Sequence, residues 1–260
     1  MSVVFITGGA RRIGRTLAER FASDGWSVGV TYHTSQEAKT ELEERFRTSG
    51  IVSAFSRCDV SKERELQASL EELKSVLGVP DVVVSNAGVF PDAKPLAQTE
   101  QQDVLDAIAI NTLPLLTIAR WLQAQNAERL DTKHVKGQDT IHDERHEVKR
   151  LIAITSLGAV ELWKDRIAYN VSKSALQTMA YSLSRSMAPH IAVNSVAPGA
   201  IVMPEEPSTS DDAITSASRI PMQRYGTADD VFDAVNYFAT CSSYITGQLI
   251  MVDGGYHRIR

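Results

Sequence analysis

Short runs of apolar and β-branched residues recur along the chain, and longer helical patterns separate them. Val3–Thr7, Ser27–Thr31, Val52–Phe55, Val82–Ser85, Leu151–Thr155, Ala192–Ser195 and Leu249–Val252 predict strands. Ile13–Ser23, Glu37–Thr48, Glu63–Val76, Gln101–Gln125, Ile167–Ala188 and Ala228–Ala239 predict helices. Near-continuous apolar strands alternating with helices belong to a parallel sheet covered on both faces. The expected fold class is α/β, a doubly wound parallel sheet of about seven strands with helices on both sides. No linker interrupts the alternation, so residues 1–260 read as one domain. Pro189 lies just past the Ile167–Ala188 pattern, where a helix-incompatible residue belongs. One stretch departs from the pattern: Glu128–Arg150 mixes charges of both signs with little apolar periodicity, and reads as an exposed insertion before the fifth strand.

Composition narrows the class without choosing a chemistry. A formal net charge of -5 leaves no broad basic footprint, so nucleic acid is not an expected partner. Two cysteines, Cys58 and Cys241, are too few for a disulfide framework and fit a reduced, cytoplasmic protein. No uninterrupted apolar run has the length of a membrane span, and Met1 leads straight into a strand pattern with no room for a signal peptide. His142 and His146 stand at i, i+4 in the insertion, but without a third ligand they read as solvated, and no metal is expected.

The candidate chemistry begins with Tyr169 and Lys173. Their spacing within a helical pattern puts both side chains on one face, one turn apart. A nearby ammonium favours phenolate over phenol, which would draw the tyrosine's acidity from about 10 towards neutrality. A tyrosine of this kind can donate a proton to a carbonyl or imine. The first predicted strand runs into Thr7-Gly8-Gly9-Ala10-Arg11-Arg12-Ile13-Gly14 and then a helix. Glycines at a strand-to-helix turn admit a phosphate close to the backbone, and the helix start supplies N–H groups. The second strand ends in Thr31-Tyr32-His33-Thr34-Ser35, without the carboxylate that usually holds the ribose hydroxyls of NAD. Arg11 and Arg12, with hydroxyls and His33, suit a 2′-phosphate instead, so NADPH is expected over NADH. Asp59-Val60 and Asn86-Ala87-Gly88 follow the third and fourth strands, where ligands bind in such sheets, and equally where Asn and Asp form turns.

With these elements in order, the chain resembles the short-chain dehydrogenase/reductase family over nearly its whole length. The resemblance rests on Thr7-Gly8 through Gly14, Asp59-Val60, Asn86-Ala87-Gly88, Asn111, Ser156, Tyr169, Lys173 and Pro198-Gly199. It implies a Rossmann-type fold, with Tyr169 as proton donor and Lys173 beneath it holding the ribose. Ser156 would hydrogen-bond the substrate, and Asn111 would orient Lys173 through a water chain. The cofactor would lie along Gly8, Arg11, Arg12, Ile13, Gly14, His33, Thr34, Ser35, Asp59, Val60, Asn86, Ala87 and Gly88, and then Tyr169, Lys173, Pro198, Gly199 and Ile201.

Arg12 replaces the family's usual middle glycine, and this loop looks like that of pteridine and dihydromonapterin reductases. Phe90, the insertion and the ending through Arg260 agree with that branch, in which a neighbouring subunit's C-terminus can reach the site. Arg12, Phe90, Ser156 and Tyr169 would then face the substrate, although Phe90 could instead pack under a loop. Ser156 dissents: pteridine reductases usually carry aspartate there, whereas serine matches carbonyl-reducing members. Met203 stands where many relatives have a threonine, and Glu205, Glu206, Asp211 and Asp212 make the following lid acidic. The expected activity is NADPH-dependent reduction of a small dihydropterin-type molecule. A carbonyl reductase and a non-catalytic nucleotide-binding regulator are the alternatives. A homotetramer is the family expectation.

Overall fold

The structure is a computed structural model that describes residues 1–135, 148–203 and 216–258, with 128–135 and 258 described as backbone only. Seven parallel strands form one sheet in the order β3-β2-β1-β4-β5-β6-β7. They are β1 (Val3–Ile6), β2 (Ser27–Tyr32), β3 (Ser53–Arg57), β4 (Val82–Ser85), β5 (Lys149–Ile154), β6 (Ile191–Pro198) and β7 (Leu249–Val252). The main helices are α1 (Arg12–Ser23), α2 (Gln36–Thr48), α3 (Glu63–Leu77), α4 (Gln101–Asn111), α5 (Leu113–Val135), α7 (Ile167–Ser186) and α8 (Ala228–Thr240). A short α6 (Gly158–Glu161), which the pattern did not reveal, lies between β5 and α7.

Alternation along each strand divides the core in two. Val4, Ile6, Val82, Val84, Ile152 and Ile154 face the layer of α1, α2 and α8, where Leu17, Phe21, Phe46 and Phe238 are buried. Val3, Phe5, Val83, Leu151 and Ala153 face the layer of α3, α5 and α7, against Leu66, Leu70, Leu115, Ile118 and Leu176. Gly29 sits opposite Phe5 in the β1–β2 register, and a Cβ there would meet the Phe5 ring at 2.6 Å, so no larger residue fits.

The expected single helix over Gln101–Gln125 is two helices. Pro114 lacks the N–H that would continue the ladder, and Thr112 breaks it at φ -114, ψ -55. The Thr112 hydroxyl instead donates to the Ser172 carbonyl of α7 at 2.8 Å. By length and composition Gln101–Ala127 would be apolar enough to cross a membrane, but half of its most apolar stretch is buried within this fold. Within the span read as an insertion, 128–150, α5 continues to Val135, and Lys149 and Arg150 open β5. His142, His146, the acidic residues from Glu205 to Asp212, and Arg260 lie outside the described residues.

Candidate active site

The carboxyl ends of β1, β4, β5 and β6 bring the sequence motifs together. At the β1–α1 turn, the Thr7 hydroxyl accepts from the backbone N–H groups of Asn86 and Ala87, each at 3.0 Å. The Asn86 amide returns to the carbonyls of Thr7 at 2.9 Å and Gly8 at 3.3 Å. Asn86 therefore braces two strand ends. Gly14 must be glycine: a Cβ would stand 2.3 Å from the Gly8 carbonyl oxygen and 2.6 Å from the Asn86 amide. No side chain caps the start of α1, and no acidic residue lies in its first turn. Its leading N–H groups face outwards as an anion-binding terminus, which fits a dinucleotide's diphosphate.

Arg12 sits within this turn at φ +53, in the left-handed region that glycine enters freely and other residues rarely do. At the outer end of β2, His33 and Thr34 are exposed and Ser35 half-buried. Arg57, which sequence reading missed, ends β3 opposite Tyr32, and its Nε donates to the His33 carbonyl at 3.1 Å. Asp59 behaves as a turn-former, its carboxylate accepting from the Ser61 N–H at 2.9 Å and hydroxyl at 2.7 Å. Partial burial raises the Asp59 pKa, yet these hydrogen bonds outweigh it and hold the group below its usual range.

Tyr169 lies in the first turn of α7 and is buried. Its pKa is raised, because burial outweighs the Ser156 hydroxyl and the nearby Arg12 and Arg166 cations, each of which lowers it. This corrects the expectation that Lys173 would draw the phenol towards neutrality. The Lys173 ammonium lies 6.0 Å from the phenol ring's centre and donates to the Ile154 carbonyl at 3.1 Å. Burial lowers its own pKa to about 8. At neutral pH Tyr169 is therefore a phenol, the form that can give a proton. Ser156 is buried and accepts from the Gly158 N–H at 3.0 Å.

Asn111 ends α4 and is also buried. Its amide exchanges bonds with the Val89 N–H at 2.8 Å and carbonyl at 3.1 Å, and donates to the Ser172 hydroxyl at 2.9 Å. The Asn111 side chain thus ties the loop after β4 to α7, rather than reaching Lys173 itself.

Two aromatic rings pack against the phenol. Phe90 is 42% exposed and meets Tyr169 edge-on, centroids 4.6 Å apart at 89°. Trp163 lies nearly parallel to Tyr169, at 5.8 Å and 7°. Trp163 and Arg166 gave no signal in the sequence, since both occupy the connection between α6 and α7. Pro198 closes β6, with its carbonyl accepting from Leu157 N–H at 2.9 Å. A Cβ on the following Gly199 would meet Asp253 at 2.8 Å, and Ile201 bridges to Gly226. Met203 is buried, and its thioether has no hydroxyl to offer where the family's threonine would stand.

The chain is similar to known proteins over nearly its whole length. The family profile described as Enoyl-(Acyl carrier protein) reductase matches residues 8–257. The chain is 28% identical over 257 residues to the 3-oxoacyl-[acyl-carrier-protein] reductase FabG of Staphylococcus epidermidis, covering 97% of each. A blue fluorescent protein from a metagenomic library, solved with NADPH, superposes with a TM-score of 0.82 at 26% identity, covering 98% of this chain and 97% of the other. FolM alternative dihydrofolate reductase 1 from Brucella canis, solved with NADP, gives 0.84 at 24% identity over 100% and 95% of the two chains, a likeness of fold. The fold and these matches define an NAD(P)-dependent oxidoreductase. The chain belongs to the short-chain dehydrogenase/reductase family.

Proposed function

We propose that the protein is a cytoplasmic, NADPH-dependent reductase of a flat pterin-type substrate, a dihydropterin such as dihydromonapterin. Arg12 carries this reading. A non-glycine residue at left-handed φ costs about 1–3 kcal/mol, and glycine at this turn would avoid that cost. The guanidinium charge lowers the Tyr169 pKa, so Arg12 acts on the proton donor from the cofactor turn. In that position it can donate to a ring oxygen of the substrate and to a cofactor phosphate. Phe90, partly exposed beside the phenol, offers a ring for the substrate to stack on.

Bound NADPH would supply the hydride. Tyr169, kept protonated by burial, gives the proton to the ring nitrogen of the C=N bond whose carbon takes the hydride. The Ser156 hydroxyl holds the substrate's polar atom, and Lys173 supports the phenolate left behind. Asn111 fixes the loop bearing Phe90 against α7. The Ser156 hydroxyl also suits a ketone oxygen, and the FabG relative is a 3-oxoacyl reductase, which favours a carbonyl substrate as the second reading. NADPH oxidation measured with dihydromonapterin, dihydrobiopterin, biopterin and a panel of small ketones separates the two. The dihydropterins should turn over fastest, and turnover confined to the ketones would refute the pterin assignment.

The preference for NADPH rests on Arg11, His33, Thr34 and Ser35, joined by Arg57. Its bond to the His33 carbonyl fixes the Arg57 guanidinium at the crest of the β2–α2 turn. A charge-assisted hydrogen bond contributes about 1.5–3 kcal/mol, so Arg57→Gln should raise the KM for NADPH about tenfold or more. The KM for NADH should stay within about twofold, since NADH has no 2′-phosphate. Equal changes for the two cofactors would exclude this role.

A further inference from the structure

We propose that Arg166 is a positioning residue that holds Phe90 against Tyr169 and so fixes the proton donor's ring. The inference rests on Tyr169 being that donor. Arg166 is the N-cap of α7, but its side chain makes no cap bond. It reaches across to the loop after β4, where its guanidinium donates to the Pro91 carbonyl and lies 4.1 Å from the centre of the Phe90 ring. Planar guanidinium over an aromatic face, with one edge bonded to a carbonyl, holds a ring by stacking and by direction at once.

The contact is part of a clasp around the phenol. Phe90 passes the restraint on by its edge-on contact with Tyr169 at 4.6 Å. Next to Arg166, the Asp165 carbonyl accepts from the Lys94 N–H at 2.8 Å, a second tie between the same two segments. Trp163 covers the phenol from the α6–α7 side, stacked at 7°. Phe90 is 42% exposed on an irregular loop, so Arg166 and the rings are what limit its rotation. One face of Phe90 is occupied by the guanidinium.

Arg166 also lowers the proton affinity of the phenol through charge. Among the described residues, the charged groups acting on or packed against Tyr169 are Arg12 from the β1–α1 turn, Lys173 from the next turn of α7, and Arg166 itself.

The test is a double-mutant cycle in the NADPH-dependent reaction. Arg166→Met and Phe90→Leu should each lower kcat about tenfold, and the double variant should lose no more than either alone, because residues acting through one contact are not additive. Arg166→Lys should stay about tenfold low in kcat, since an ammonium keeps the charge but neither stacks as a plane nor fixes direction. The alkaline limb of the kcat profile should move to higher pH in Arg166→Met and stay in place in Arg166→Lys, because removing a cation makes the phenol harder to ionise. Additive losses in the double variant, or an unchanged kcat and pH limb in Arg166→Met, would overturn the proposal. Tyr169→Phe is the control: if it keeps its activity, the donor assignment falls. If it is inactive while Arg166→Met is normal, only the role of Arg166 falls.

Discussion

Tyr169→Phe should lower kcat by about a hundred- to ten-thousand-fold, the usual range for removing a positioned general acid. The variant removes one oxygen from a ring held by packing. Phe90 meets that ring edge-on at 4.6 Å, and Trp163 stacks on it at 5.8 Å. Gly158 lies so close that a Cβ there would be 2.9 Å from the Tyr169 ring. None of these contacts needs the hydroxyl, so the fold and the NADPH affinity should persist. NADPH fluorescence titration and single-turnover measurements separate binding from chemistry. Loss of less than about tenfold in kcat would show that another group supplies the proton.

Lys173→Met should lose turnover by about a hundredfold or more and also change how stability depends on pH. Burial holds the Lys173 pKa at about 8, below its ordinary 10.5. A buried ammonium without a carboxylate is costly, so the folded chain releases this proton before the unfolded chain does. Between about pH 8 and pH 10.5 the unfolded state binds more protons, and linkage makes the ligand-free protein more stable as pH rises through that window. Below pH 8 the full penalty is present, and above 10.5 it is gone. The shift corresponds to about 3 kcal/mol as an order of magnitude. Methionine keeps the volume and removes the charge. Melting temperatures across the window should therefore rise for the parent relative to Lys173→Met. Parallel curves would mean that the ammonium is better satisfied than burial implies.

The central strands were legible because they are buried on both faces and read as apolar runs, whereas the edge strands β3 and β7 are only partly buried; β4 and β7 have the expected boundaries. The break before Pro114 was hidden by apolar positions that continue through it, although proline inside a helical pattern was the available signal. The spacing of Tyr169 and Lys173 announced a proton-transfer pair. It could not give the direction of their pKa values, since burial is set by α4, α6 and the loop after β4. Asn111 was picked out by resemblance, but its partners Val89 and Ser172 lie 22 and 61 residues away. Arg166 and Pro91 are 75 residues apart, Arg57 and His33 are 24, and no local pattern marks such pairs.

The Thr7 hydroxyl has a consequence for how the protein comes into being. It closes the nucleotide turn on Asn86 and Ala87, 79 and 80 residues later in the chain. A nascent chain can carry every glycine of the motif and still lack a finished turn until β4 has been made and has docked beside β1. The proton donor follows another eighty or so residues behind, after contacts that are slow to form because they are distant in sequence. Truncated or stalled chains should thus be inert towards nucleotide as well as substrate, with cofactor binding reporting on completed assembly.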